Sequence, residues 1–239
     1  MAQHSMNMEG VQITWLGHAT FKITSPQGKI ILIDPWVRGN PVCPDEQKNI
    51  NKVDIMLITH GHSDHASDAV SIAQATDPTC VGIVELMGWL ESKGVQNTVG
   101  FNKGGTVEVQ GIKITMTQAF HSSSVDDSVY VGEPCGFVLE FENGRKLYHA
   151  GDTCVFGDMQ LIHELYRPDV ALLPIGDFYT MGPKEAAVAV RMLGVKHVIP
   201  MHYGTFPILT GTPAALRKAI QSLGLNEVEV IEMTPGQTI

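Results

Sequence analysis

Within six residues, His60, Gly61, His62, Ser63, Asp64 and His65 place three imidazoles and one carboxylate on a single short segment. It follows an apolar run, Ile55, Met56, Leu57, Ile58 and Thr59, that reads as a strand, and it precedes a stretch with helical patterning. Imidazole nitrogens and carboxylate oxygens are ligands for divalent cations. Four such groups on one tight turn point in diverging directions, so they serve two neighbouring cations more readily than one tetrahedral ion. Gly61 and Ser63 keep the turn slim. The alternative is a polar loop in which Ser63 or Asp64 caps the next helix, but it leaves the density of imidazoles without a reason.

Further candidates stand where apolar runs end: Asp34 after 30–33, His121 after 113–120, Asp152 after 147–151 and His202 after 198–201. A single residue of this kind is ordinarily a cap or a satisfied structural group. In layered α/β proteins, however, polar residues at several strand ends converge on one rim, so separated segments can furnish one site. Their recurrence beside the 60–65 segment marks His121, Asp152 and His202 as metal ligands together with His60, His62, Asp64 and His65. Asp64 is also a candidate catalytic group, able to orient the nucleophile or take its proton.

The elements that must position these groups are short. Segments 11–16, 21–24, 29–33, 54–59 and 80–84 are β-branched and punctuated by Gly and Pro, and 68–75 and 85–92 read as helices. Strands are expected at 106–109 and 113–118, then a hairpin of 136–141 and 146–149 around a turn at 142–145. The second half alternates: helix 159–166, strand 170–174, helix 183–193, strand 197–200, helix 213–223, strand 228–231. Two strand-rich layers with helices outside follow from this order.

The 239 residues allow one compact domain, and 44% hydrophobic with 17% charged residues suits a packed core. Asp and Glu total 25 against 16 Lys and Arg, a net charge of -9, so bulk nucleic acid is not an expected partner. Cys43, Cys80, Cys135 and Cys154 lack CxxC spacing and read as reduced thiols, which points to a cytoplasmic setting. Residues 1–10 are polar and Met-rich and read as a flexible end without signal-peptide character, and no apolar run is long enough for a membrane span. Residues 11–239 read as a single domain, with homo-oligomer formation left open.

His60, His62, Asp64 and His65 resemble the HxHxDH motif of the metallo-β-lactamase superfamily, and His121, Asp152 and His202 follow in the order of its remaining ligands, with Asp34 at its first conserved Asp. The resemblance spans about 11–231 and implies an α/β fold, a four-layer αββα sandwich of the metallo-β-lactamase type. Residues 15–20, 149–153 and 174–176 resemble the branch of uncharacterised metal-dependent hydrolases related to ascorbate 6-phosphate lactonase; N-acyl-phosphatidylethanolamine phospholipase D is more distant. The family pattern implies one metal on His60, His62 and His121, another on Asp64, His65 and His202, and Asp152 bridging. His62 stands where the oxygen-reducing diiron branch has Glu, and Asp152 where several true β-lactamases have Cys, so redox chemistry and antibiotic cleavage lose support. Asp177 stands where relatives commonly have Gly, which points to a different substrate pocket.

The expected activity is that of a binuclear hydrolase with a small-molecule substrate. A water shared by two divalent ions, zinc first and manganese, iron or nickel as the other candidates, falls in pKa from roughly 15.7 to about 7. The resulting hydroxide, bridging two metal ions, would cleave an ester, lactone or phosphorylated small metabolite. A phosphodiesterase, nuclease or phospholipid-cleaving, is the rival; a non-catalytic metal-dependent binding protein is the reading from another class. A basic groove or a hydrophobic mouth would favour the rival. His18 is read as a catalytic-site residue, hydrogen-bonded to substrate or to a ligand, with a structural histidine packed under the loop as the alternative, and His149 as a core or supporting histidine. His4, His163 and His197 read as bystanders. The 180–183 segment opens a helix, either as a plain cap or as a receptor for a phosphate or carboxylate, and Tyr203 and Thr205 are of undetermined direction.

Overall fold

The computed structural model describes residue 6, residues 8–126 and residues 128–239. Its first sheet runs in chain order: β1 (Gln12–Gly17), β2 (Thr20–Thr24), β3 (Ile30–Ile33), β4 (Ile55–Leu57), β5 (Thr79–Ile83) and β6 (Thr98–Phe101). The first three strands are antiparallel and β3 to β6 are parallel. Between these strands lie α1 (Ser63–Ala66), α2 (Ala69–Thr76) and α3 (Val84–Ser92), with α3 packed on β5 and β6. Then come β7 (Thr106–Val109) and β8 (Ile112–Gln118), a separate ribbon of β9 (Ser124–Val125) and β10 (Val129–Tyr130), and β11 (Cys135–Glu140) with β12 (Lys146–His149). The chain ends in α4 (Met159–Tyr166), β13 (Val170–Pro174), α5 (Pro183–Leu193), β14 (His197–Met201), α6 (Pro213–Ser222) and β15 (Glu229–Val230). The second sheet has the order β15-β14-β13-β12-β11-β8-β7.

Strand periodicity explains the layers. Phe137 and Leu139 on β11, Leu147 on β12, Leu172 on β13 and Ile199 on β14 enter the core shared with the first sheet. Their neighbours Val138, Tyr148, Ala171, Leu173 and Val198 face the other way, onto Ile162 of α4, Val190 and Leu193 of α5, and Leu216 and Ile220 of α6. Strands β11 to β14 of the second sheet are therefore buried on both faces, as their near-continuous apolar runs require. The outer edge of β1 is closed by the chain's own end, where Ile13 and Ile239 exchange both backbone hydrogen bonds at 2.9 and 3.0 Å.

Several expected elements appear with unchanged bounds: 106–109, 146–149, 159–166, 170–174 and 183–193. The strand expected to run through Thr59 stops at Leu57, because the Thr59 amide donates to the Asp34 carboxylate, 2.8 Å away, instead of continuing a ladder. β6, α1 and the β9–β10 ribbon were not anticipated. Met8, inside the segment read as flexible, is buried in the core, while His4 lies outside the described residues.

Candidate metal centre

Strand ends deliver the chemistry. The chain leaves β1, β3 and β14 through His18, Asp34 and His202, whose φ values of 56°, 50° and 55° lie in the left-handed region. A non-glycine residue there costs about 1–3 kcal/mol, and such strain clusters at functional sites. Here the conformation turns each side chain across its strand end. Close backbone approach makes two glycines obligatory nearby. A Cβ on Gly176 would lie 2.1 Å from the His202 carbonyl oxygen, and one on Gly61 would lie 2.6 Å from Val131 and 2.9 Å from the Ser124 carbonyl of the ribbon. The slimness of the 60–65 turn is thus set by what packs on it.

All seven residues predicted as ligands come together. His60, His62 and His121 form one group; Asp64, His65 and His202 form another, with His18 behind it; and His60, His65 and Asp152 form a third that joins them. Within each group, one ligand atom per residue lies within 4.8 Å of the others. Asp152 Oδ2 sits between the sets, 2.9 Å from His202 Nε2, 3.3 Å from His65 Nε2 and 3.5 Å from His121 Nε2. Close as Asp152 Oδ2 is, His65 Nε2 and His202 Nε2 make no aligned hydrogen bond to it, and Asp152 Oδ1 and His202 Nδ1 are buried without a partner. Buried polar atoms are ordinarily satisfied, each orphan costing about 1–3 kcal/mol. Orphaned nitrogens and a carboxylate oxygen converging in this way fit the donor set of divalent cations.

The surrounding residues decide which nitrogen faces the centre. Asp34, fully buried, accepts from the Thr59 amide, the Thr59 hydroxyl and His65 Nδ1, each at 2.8 Å. With its one proton given to Asp34, the Thr59 hydroxyl can only accept from His60 Nδ1, 3.0 Å away. Both histidines are therefore protonated at Nδ1 and direct Nε2 towards the centre, the arrangement that outer hydrogen bonds impose on metal-binding histidines. Thr59 carries no sequence pattern of its own. It is visible only once β3 and β4 are paired, which sets Asp34 beside it.

His18 has a different place from a substrate-binding histidine: its side chain is 0% exposed and its Nε2 lies 3.0 Å from Asp64 Oδ2. Burial pushes this imidazole down to about 4 against the opposing Asp64 hydrogen bond, so it is neutral near pH 7. A carboxylate only accepts, so Nε2 carries the proton and Nδ1 accepts from the Thr205 hydroxyl at 2.9 Å. Asp64 falls below the usual carboxylate range although burial opposes this, through the His18 hydrogen bond and the charge of His65. Burial lowers His60, His62 and His121. In His65 burial is outweighed by Asp152 and Asp34, which raise it well above normal, so loading of cations must displace a proton.

Other histidines are spent elsewhere. His149 donates to the Ala19 carbonyl at 3.2 Å and accepts from the Gly151 amide at 3.1 Å, which holds the turn before Asp152. His163 bonds the Leu193 carbonyl, and His197 faces Glu229 at 3.9 Å. Tyr203 stacks on Trp15. The helix start at Gly182 is flanked by the carboxylates of Asp177 and Glu185, so it is a cap already supplied with negative charge. Asp177 has φ 66°, in the left-handed region that glycine adopts at least cost.

A cavity of about 610 Å³ opens over the centre. It is lined by His62, Asp64, His121, Asp152 and His202 with Ser63 and Ser122, and by the apolar group Trp36, Tyr179, Phe206 and Ile208, the Trp36 and Phe206 rings being stacked at 5.9 Å. None of the described lining residues is Lys or Arg.

Comparison with known proteins agrees with this architecture. Residues 12–202 match the beta-lactamase superfamily domain model. The chain is 54% identical over 236 residues to a UPF0173 metal-dependent hydrolase of Koribacter versatilis, covering 98% of this chain and 99% of that protein. It is 53% identical over 234 residues to one from Rubrobacter xylanophilus, covering 96% of each. Among solved structures, a novel metallo hydrolase from the hyperthermophilic archaeon Ignicoccus hospitalis superposes with a TM-score of 0.84 at 39% identity, covering 96% of this chain and 97% of that one. The chain belongs to the UPF0173 metal-dependent hydrolases of the metallo-β-lactamase superfamily. Its broad activity is accordingly metal-dependent hydrolysis.

Proposed function

We propose that this protein is a binuclear hydrolase that cleaves an ester, lactone or phosphorylated small metabolite. The observation that carries this reading is the convergence of seven donors, three of which, His65, Asp152 and His202, hold buried polar atoms without a hydrogen-bond partner. His60, His62 and His121 would hold one ion and Asp64, His65 and His202 the other, with Asp152 between them; zinc comes first on donor type, with manganese, iron or nickel also suited. When bound, two such ions supply Lewis acidity towards the electrophile and bring water to a near-neutral pKa. Asp64, held by His18, orients the nucleophile and can take its proton. His18 is a positioning residue and does not touch substrate. Trp36, Tyr179, Phe206 and Ile208 seat the substrate and exclude bulk water.

The apolar mouth favours one second reading, a phosphodiesterase acting on a substrate with apolar groups. Nothing in the lining favours a polynucleotide, which would call for basic side chains along the strand path. The single unit 11–239 and a cytoplasmic setting belong to the same proposal, supported by four free cysteines. No helix among the described residues is long and apolar enough to cross a membrane.

The test is metal content by elemental mass spectrometry, paired with lactone, ester, thioester and phosphodiester substrates at controlled zinc and manganese. Two ions per chain and chelator-sensitive turnover of one bond type are expected, and His62→Ala should lose an ion together with activity. Two ions without turnover of any substrate would favour a binding protein; one ion or none would overturn the binuclear reading.

A further inference from the structure

The wall of the cavity narrows the substrate class. The metal-type donors His62, Asp64, His121, Asp152 and His202 line the 610 Å³ space, with the hydroxyls of Ser63 and Ser122 beside them. The same space is lined by Trp36, Tyr179, Phe206 and Ile208, with Phe206 37% and Ile208 41% exposed. A soluble protein that leaves such groups open at the mouth of a functional cavity offers an apolar binding surface. Among the lining side chains the carboxylates are Asp64 and Asp152, which the proposed ions would engage at the reacting end, and no described lysine or arginine lines the rest of the space. The nearby helix start, the other structural receptor for an anion, is already flanked by Asp177 and Glu185. An anionic group carried away from the scissile bond would therefore give up hydration against Trp36, Tyr179, Phe206 and Ile208 without gaining a cationic partner. A phosphate used as a handle is disfavoured on this ground, whereas the reacting group itself meets the metal ligands.

Resting on the hydrolase reading above, we infer that the substrate is one whose non-reacting part is uncharged and apolar, an acyl or aryl group seated against Trp36, Tyr179, Phe206 and Ile208. Among the candidate classes this selects a neutral ester, lactone or thioester with an apolar substituent over a phosphorylated metabolite.

The experiment compares tails of matched length on one scissile bond in the metal-loaded protein: p-nitrophenyl butyrate against p-nitrophenyl hemisuccinate. A second pair, phenyl p-nitrophenyl phosphate against its 4-carboxyphenyl counterpart, applies the same comparison to a phosphodiester. The neutral member should have the higher kcat/KM by about 30-fold, as expected when a charge is left unpaired in an apolar site. Ile208→Lys places a cation on the wall at an exposed position and should shrink that preference at least about tenfold. Binding is read apart from turnover, by quenching of tryptophan fluorescence with butyrophenone and its 4-sulfonate, using Trp36→Phe to identify the responding ring. Tighter binding of the neutral ketone is expected, weakened in Phe206→Ala. Equal or better use of the charged tails, or equal binding of the sulfonate, would overturn the inference while leaving the hydrolase reading intact. Selective binding of the ketone with no hydrolysis of any substrate would instead sustain the apolar wall and defeat the hydrolase reading.

Discussion

Asp34→Asn changes no volume and removes no ligand, yet it should disarm both groups of the metal centre. The buried carboxylate accepts three hydrogen bonds at 2.8 Å, from the Thr59 amide, the Thr59 hydroxyl and His65 Nδ1. An asparagine can still accept from the Thr59 amide, but its NH2 would then meet two donors. His65 can relieve the clash only by moving its proton from Nδ1 to Nε2, the atom that faces the centre. Thr59, now accepting from asparagine, turns its own proton towards His60 Nδ1, and the proton of His60 also moves to Nε2. Removal of an orienting partner typically weakens metal affinity about 10–100-fold, or about 1.4–2.7 kcal/mol per site. Because His60 and His65 would hold different ions, both sites should weaken. The assay is zinc competition with a chromophoric chelator, with circular dichroism to show that the fold is kept. Thr59→Val supplies the internal control, since it disturbs His60 while Asp34 still holds His65, and should weaken one site only. Two ions held by Asp34→Asn with wild-type affinity would refute the orientation argument.

Thr205→Val should remove the donor that fixes the His18 tautomer and so lower kcat through Asp64 by about tenfold with KM little changed, and Thr205→Ser should restore it; a serine variant as impaired as valine would point to packing alone. Gly176→Ala should destabilise the fold by about 3 kcal/mol by driving a methyl group into the His202 carbonyl, read as a lowered Tm and reduced metal content. Chelation should lower Tm by at least about 8 °C, since ligand at a thousand times its Kd stabilises by about 4 kcal/mol and a chain of this size shifts about 2–4 °C per kcal/mol. Burial pushes the Cys43 thiol up to about 11 and Cys80 up to about 12, and raises Cys135 further, so all three stay protonated at pH 8. A thiol reagent at that pH should label the exposed Cys154 alone in the native protein and all four cysteines after denaturation.

The centre was legible in the sequence where its donors are consecutive or end an apolar run: His60 to His65 announce themselves, and His121, Asp152 and His202 gain meaning from them. Helices such as Met159–Tyr166 and Pro183–Leu193 were legible because apolar spacing and a proline or glycine mark both pattern and limits. Thr98–Phe101 was not, being a short edge strand with mixed exposure and no alternation. Thr59 and Thr205 were beyond reach for another reason. A hydroxyl becomes an orienting group only through its partner, and the Thr205 partner, His18, is 187 positions away. The direction of His18 was open for the same reason, since its spacing is equally compatible with facing the cavity or facing Asp64.

Four of the seven donors come from the turn after β4 and the short helix α1, and three from loops that follow strands of the second sheet. Ions held there as proposed would act as a reversible cross-link, tying His60 to His202 and closing most of the chain into one loop. A tie of that span restricts the unfolded chain in the way a long-range disulfide does. It would do so independently of redox conditions, in a protein whose cysteines are all unpaired. Metal supply would then govern how long the folded molecule survives as well as whether it can act on a substrate.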